Sequence, residues 1–153
     1  MRASSVRTVR ALWGSSHPGP TLVVTVLALA LGVATGLEAW RIALLTAAVF
    51  AGQLSVGISN DALDAARDRE VGRTDKPLAR GDVTLGVAWV AAWGLLALAL
   101  ILSAPLGWRM LAAHALTLGS AWAYNAGLKS TPSRGRTSGR PPTASPATGR
   151  RRS

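Results

Sequence analysis

The chain contains no cysteine, so a disulfide scaffold and a thiolate metal site are both excluded. Charge is also scarce. Only 16% of residues carry it, against roughly 25% in soluble domains. Acidic residues are scarcest: seven in 153, all between Glu38 and Asp82. The length allows one domain at most. Seventeen Lys and Arg leave a formal net charge of +10, which by itself would suggest nucleic acid. The placement of the charges argues against that partner. Three arginines precede residue 11 and six follow residue 130, with long, nearly uncharged stretches between them. Apolar runs flanked by basic ends read as a membrane protein that binds no nucleic acid.

Four apolar stretches stand out, at 21–37, 40–58, 83–104 and 106–128. A helix needs about 20 apolar residues to cross the hydrocarbon core, with a range of roughly 17 to 25. Backbone groups cannot remain unpaired in lipid, so each crossing segment is helical. The expected fold is all-α: a multi-pass transmembrane helical bundle of four helices in the lipid bilayer of the cell membrane. The first stretch could be a signal peptide, but its run is long, it lacks an obvious small-residue cleavage site, and three more runs follow. Lys and Arg alternate along the loops as rich, poor, rich, poor, rich. This places both termini and the 59–82 loop in the cytoplasm. Trp13, Trp40 and Trp108 fall near the expected interfaces. Gly32 and Gly36 form a G-x-x-x-G in the first stretch, a spacing that permits close helix approach. Residues 130–153 contain no Leu, Ile, Val or aromatic residue. They cannot bury a core and are expected to form a disordered tail behind a domain of residues 1–129.

The acidic residues carry the chemistry. From Ser59 the sequence reads SNDALDAARDREVGRTDKPLARGD. If the second helix continues through it, Asn60, Asp64, Asp68 and Asp61 lie at about 0°, 40°, 80° and 100° around the axis. Gly57 and Gln53 project the same way one and two turns earlier. Like charges at such spacing repel one another, so the stripe makes sense around a cation. An all-oxygen donor set suits a hard ion such as Mg²⁺, which usually shares one or two carboxylates with substrate phosphates. Arg67, Arg69, Arg73, Lys76 and Arg80 follow in one short loop. Pro77 and Gly81 mark turns able to fold these cations back over the acids. The alternative is a solvated loop of mixed charge.

Asn60-Asp61-x-x-Asp64-x-x-Arg67-Asp68-Arg69 resembles the first aspartate-rich motif of the UbiA-type intramembrane prenyltransferases. Arg73-Thr-Asp-Lys76-Pro77-Leu78-x-x-Gly81 resembles that family's R-x-x-R-P-L-x-x-G segment, with Lys76 where Arg is commoner. Tyr124-Asn125-x-x-Leu128-Lys129-x-Thr131 resembles its Y-N-x-x-L-K-x-T. The Ser16-His17-Pro18 stretch is also similar. The resemblance covers roughly residues 7–131. It implies an enzyme that transfers a prenyl group from a polyprenyl diphosphate to an acceptor, often aromatic, with Mg²⁺ bridging the diphosphate to the aspartates. It further implies Asn60, Asp64 and Asp68 as metal-diphosphate residues, with Asp61 beside them, so that Asp61, Asp64 and Asp68 form the catalytic acids. Arg67, Arg73 and Lys76 would hold the diphosphate. Tyr124, Asn125 and Lys129 would face the substrate cavity, although Tyr124 and Asn125 could equally bond between helices. Gln53 is a pocket candidate on its own ground, its phase with Asn60 and Asp64.

The family typically has about nine helices and a second aspartate-rich motif. This sequence has four apolar runs and no aspartate after Asp82. It is therefore expected to represent the N-terminal half, weak or inactive alone, with a frameshift or a wrong gene end as one cause. An inactive membrane fragment and a UbiA-type enzyme with a non-aromatic acceptor are the alternatives. His114 is expected to pack or hydrogen-bond, and Trp89 and Trp93 to pack or face lipid. A small transporter fits less well, because its acidic residue normally lies within the membrane.

Overall fold

A computed structural model of the chain describes residues 2–127, the first three by backbone alone. Every regular element described is helical. In order these are α1 (Arg2–Ser15), α2 (Pro18–Ala34), α3 (Ala39–Glu70), α4 (Pro77–Arg80), α5 (Leu85–Ser103), a 3-10 turn (Ala104–Leu106) and α6 (Trp108–Gly127). The helix ends follow local chemistry. Pro18 and Pro77 open α2 and α4, where a missing N–H costs nothing. Thr84 caps α5 by accepting from the Val87 N–H at 3.3 Å. Gly72, at φ 68°, closes α3, with the Arg73 N–H reaching back to the Asp68 carbonyl at 2.9 Å.

The four apolar stretches all become helices, but they are not four equal spans. Two helices, Ala39–Glu70 and Leu85–Leu106, are long and apolar enough to cross a membrane. Ser5–Ser15 and Pro18–Ala34, bent by 74° at their junction, qualify together as a third. α2 has only 17 residues because the chain turns at Gly36, φ 71°. Gly36 is therefore the turn after the helix and not half of a helical G-x-x-x-G. Gly32 alone makes the close approach: a Cβ there would stand 3.3 Å from Ile42 of α3. α6 carries Arg109, His114, Asn125 and several hydroxyls within 20 residues, which dilutes its apolar character.

α3 is the central element. It packs most extensively on α5 and α2, and also touches α1, α4 and α6. Small side chains make this possible. Ala48, Ala51, Gly52 and Ser55 of α3 are buried, as are Ala88, Ala92, Ala99 and Ser103 of α5. The Ser55 hydroxyl donates to the Ala92 carbonyl at 2.8 Å, bonding the two helices directly. Large apolar side chains point outward, among them Leu31, Val90, Ile101 and Leu116. Small inside and large apolar outside is the packing expected of helices surrounded by lipid.

Candidate functional site

The site is built on the last four turns of α3. The helix runs without a break from Ala39 to Glu70, so the acidic stripe keeps its helical phase. Asp61, Asp64 and Asp68 are 2%, 7% and 4% exposed. Buried carboxylates need partners, and basic groups supply them. Lys76 Nζ lies 3.0 Å from Asp61 Oδ1 and 2.9 Å from Asp68 Oδ2. His17 Nε2 lies 3.1 Å from the same Asp61 oxygen. Arg67 donates from Nη2 to Asp64 Oδ1 at 3.0 Å.

The loop folds back as its turn residues suggest. Pro77 and Leu78 are buried against the helices. Gly81, at φ 80°, ends α4, and Arg69 Nη2 donates to the Leu78 carbonyl at 3.1 Å. Lys76 is thereby held between Asp61 and Asp68. Burial pulls its pKa down, but the bonds to Asp68 and Asp61 more than offset this and leave it raised. Arg73 is turned elsewhere. Its guanidinium bonds Asp75 at 2.6 and 2.7 Å on the exposed side. That contact lifts Arg73 above its ordinary value and holds Asp75 well below the usual carboxylate range.

Beside the acids lies a cavity of about 330 Å³, lined by His17, Gln53, Val56, Gly57, Asn60 and Asn125 among others. Gln53 and Asn60 thus share one hollow, two turns apart on α3. Asn125 is buried and donates to the Val56 carbonyl at 3.3 Å. It therefore serves the inter-helix bond while lining the hollow. Tyr124, one residue earlier and 60% exposed, is not part of the lining. Lys129 lies outside the described residues. Gly57 lets α3 approach the turn between α1 and α2: a Cβ there would lie 2.3 Å from the Ser16 carbonyl oxygen.

His17 is the site residue that sequence reasoning left unassigned. It sits at φ 55°, a left-handed conformation uncommon for a non-glycine residue. This turns its ring toward Asp61. Its sequence signals are its place just before Pro18, at the start of a helix, and the family similarity of the Ser16-His17-Pro18 stretch.

A model of the UbiA prenyltransferase family matches residues 21–141 of the 153-residue chain. The chain belongs to the UbiA prenyltransferase family. A search of curated proteins and one of solved structures return no match. In this UbiA-family chain the acidic stripe, the folded-back basic loop and the hollow meet toward one end of α3. The donor chemistry of that end fits a hard cation, because Lys76 shows that positive charge is accepted between two buried carboxylates. Among the described residues no three acidic or imidazole side chains gather closely enough to hold a metal by themselves. An ion here would draw the rest of its shell from water and substrate oxygens.

His114 is buried on α6 and shares a 2.7 Å hydrogen bond with the Ser103 hydroxyl of α5. It is a packing residue, as expected. Trp122 stacks tilted on both Trp93, at 4.5 Å between ring centres, and Trp89, at 6.1 Å. The three form an aromatic patch between α5 and α6, apart from the site.

Proposed function

We propose that this chain is an integral membrane prenyltransferase. It takes the prenyl group of a polyprenyl diphosphate and passes it to an electron-rich, aromatic acceptor, with the site on the cytoplasmic side of the cell membrane. One observation carries the reading. Three buried aspartates on one helix face, each matched by a basic side chain, adjoin a hollow that Gln53, Asn60 and Asn125 line in a chain of this family. Such a face is built for a polyanion together with its counter-cations.

Asn60, Asp64 and Asp68 would hold Mg²⁺, which when bound neutralises charge on the leaving diphosphate. Lys76 and Arg67 are already at the acids and can exchange a carboxylate for a phosphate oxygen. Arg73 would have to leave Asp75 to join them. The allylic C–O bond breaks with its electron pair going to the diphosphate. The ring carbon of the acceptor then attacks the allylic cation and loses its proton. Gln53, Asn60 and Asn125 position the substrate in the hollow, and the surrounding apolar helices keep water from quenching the cation.

The test is Mg²⁺-dependent binding of a prenyl diphosphate to the full chain in nanodiscs, followed by turnover with an aromatic acid. Asp64→Ala is expected to weaken binding by about tenfold or more, 1.4 kcal/mol. Equal binding by both proteins would refute the site. Among the described residues no three acidic or imidazole side chains gather closely enough to hold a metal, which favours a second reading. In that reading the chain binds the diphosphate without turning it over, and the same experiment separates the two.

A further inference from the structure

α1 is unlike the other helices. It meets α2 at 74°, so if α2 runs into the membrane α1 lies nearly along its surface, about 21 Å long at 1.5 Å per residue. One face is committed to the protein. Ala11 and Ser15 are buried and Leu12 packs on the core. Gly14 sits against Pro77 of α4 so closely that a Cβ would be 3.1 Å away.

The opposite face is apolar and largely open, with Trp13 on it also leaning on Phe50 of α3 at 6.2 Å between ring centres. Taking Val6 as zero, Val9 and Trp13 fall at about 300° and 340°, within one 60° arc. They are 67% and 39% exposed, and Val6 is 68%. Arg10 borders this arc at about 40°, and Arg7 lies farther round at about 100°. Both line a cleft of about 340 Å³ between α1 and α4, whose other charged walls are Asp75, Arg80 and Asp82. The acids there are already matched. Asp75 is held by Arg73, and Asp82 by Arg80 at 2.6 Å. Arg7 and Arg10 make no ion pair with any described residue, so the cleft presents two unmatched positive charges beside an apolar stripe.

We propose that α1 lies in the membrane interface and that Arg7 and Arg10 grip the phosphate of an anionic phospholipid at this cleft, while Val6, Val9 and Trp13 enter the acyl boundary. The pairing of cation and apolar stripe selects a lipid. A soluble phosphate would use the arginines and leave the stripe in water, whereas a lipid satisfies both at once. The inference does not depend on the prenyl-transfer reading.

Because the chain has no cysteine, single labels can be placed cleanly. A nitroxide is attached at Val9→Cys in the full chain, in nanodiscs of phosphatidylcholine with or without phosphatidylglycerol. A second label at Val71→Cys, in the α3–α4 loop, serves as the water-exposed reference. The expected result is loss of collisions with a water-borne nickel reagent at position 9 relative to position 71. That loss should deepen with phosphatidylglycerol, and Arg7→Gln/Arg10→Gln should abolish the deepening. Those two arginines are exposed and unpaired, so the double variant leaves the fold intact. A position-9 label as wet as position 71 would overturn the proposal. So would a phosphatidylglycerol response that survives in the double variant. Inorganic phosphate reproducing that response in pure phosphatidylcholine would make this a soluble-anion site and overturn it as well.

Discussion

Lys76 is the residue on which the acidic face depends. Its ammonium bridges two carboxylates that are otherwise sealed from water. Lys76→Met would leave Asp68 with buried, uncompensated charge and Asp61 with His17 alone. The expected cost is about 3 kcal/mol, the low end for breaking a buried pair, because 15% of the lysine side chain still meets water. Thermal unfolding in detergent reads it. Added Mg²⁺ should raise the melting temperature of Lys76→Met more than that of the wild type, since the vacated position suits a cation. An equal rise in both would count against a cation site. The pH dependence has a definite sign. A lysine whose folded pKa is raised contributes fully below its ordinary value of 10.5 and loses that contribution as pH climbs through the raised one. The melting temperature of the wild type should therefore fall above about pH 10.5, and that of Lys76→Met should lack this component.

Individual helices are held in place by a few contacts that tolerate no added volume. α3 approaches the 16–17 turn so closely that Gly57→Ala would drive a methyl into the Ser16 carbonyl. Backbone cannot rotate away, so destabilisation of about 3 kcal/mol is expected, the upper end for overpacking. The shift would also pull His17 off Asp61, so a histidine ring NMR signal sensitive to that contact should move. A Gly57→Ala protein with unchanged melting would show that the approach is loose. Between α5 and α6 the lock is polar. Ser103→Ala leaves His114 Nδ1 buried without its partner, at an expected cost of about 1–3 kcal/mol. Ser103→Thr, which keeps the hydroxyl, should recover most of it in the same unfolding assay.

At the scale of the whole molecule the open question is sidedness. The basic loop between α3 and α4 and the sparsely charged α5–α6 turn should lie on opposite sides of the membrane. Single cysteines at Val71 and Pro105 report it. In intact cells, a membrane-impermeant thiol reagent should spare Val71→Cys and label Pro105→Cys. Labelling of both from one side would refute the arrangement. It would also leave the acidic face on the wrong side for a cytoplasmic diphosphate.

Much of this was legible without coordinates, and the reason is locality. Helical phase is a property of neighbouring residues. The stripe of Asn60, Asp61, Asp64 and Asp68 and its alignment with Gln53 could therefore be counted off the sequence. Pro77 and Gly81 likewise mark a turn wherever they stand. Span number was read less well, because apolar content does not reveal the bend between α1 and α2 or the early end of α2 at Gly36. What only the tertiary structure decided is which distant groups meet. His17 reaches Asp61 across 44 residues, and Asn125 reaches Val56 across 69. Arg73 turns to Asp75 while Lys76, three residues on, takes the buried carboxylates. Those choices depend on how closely α3 packs on its neighbours, and that distance is set by small side chains on several helices at once.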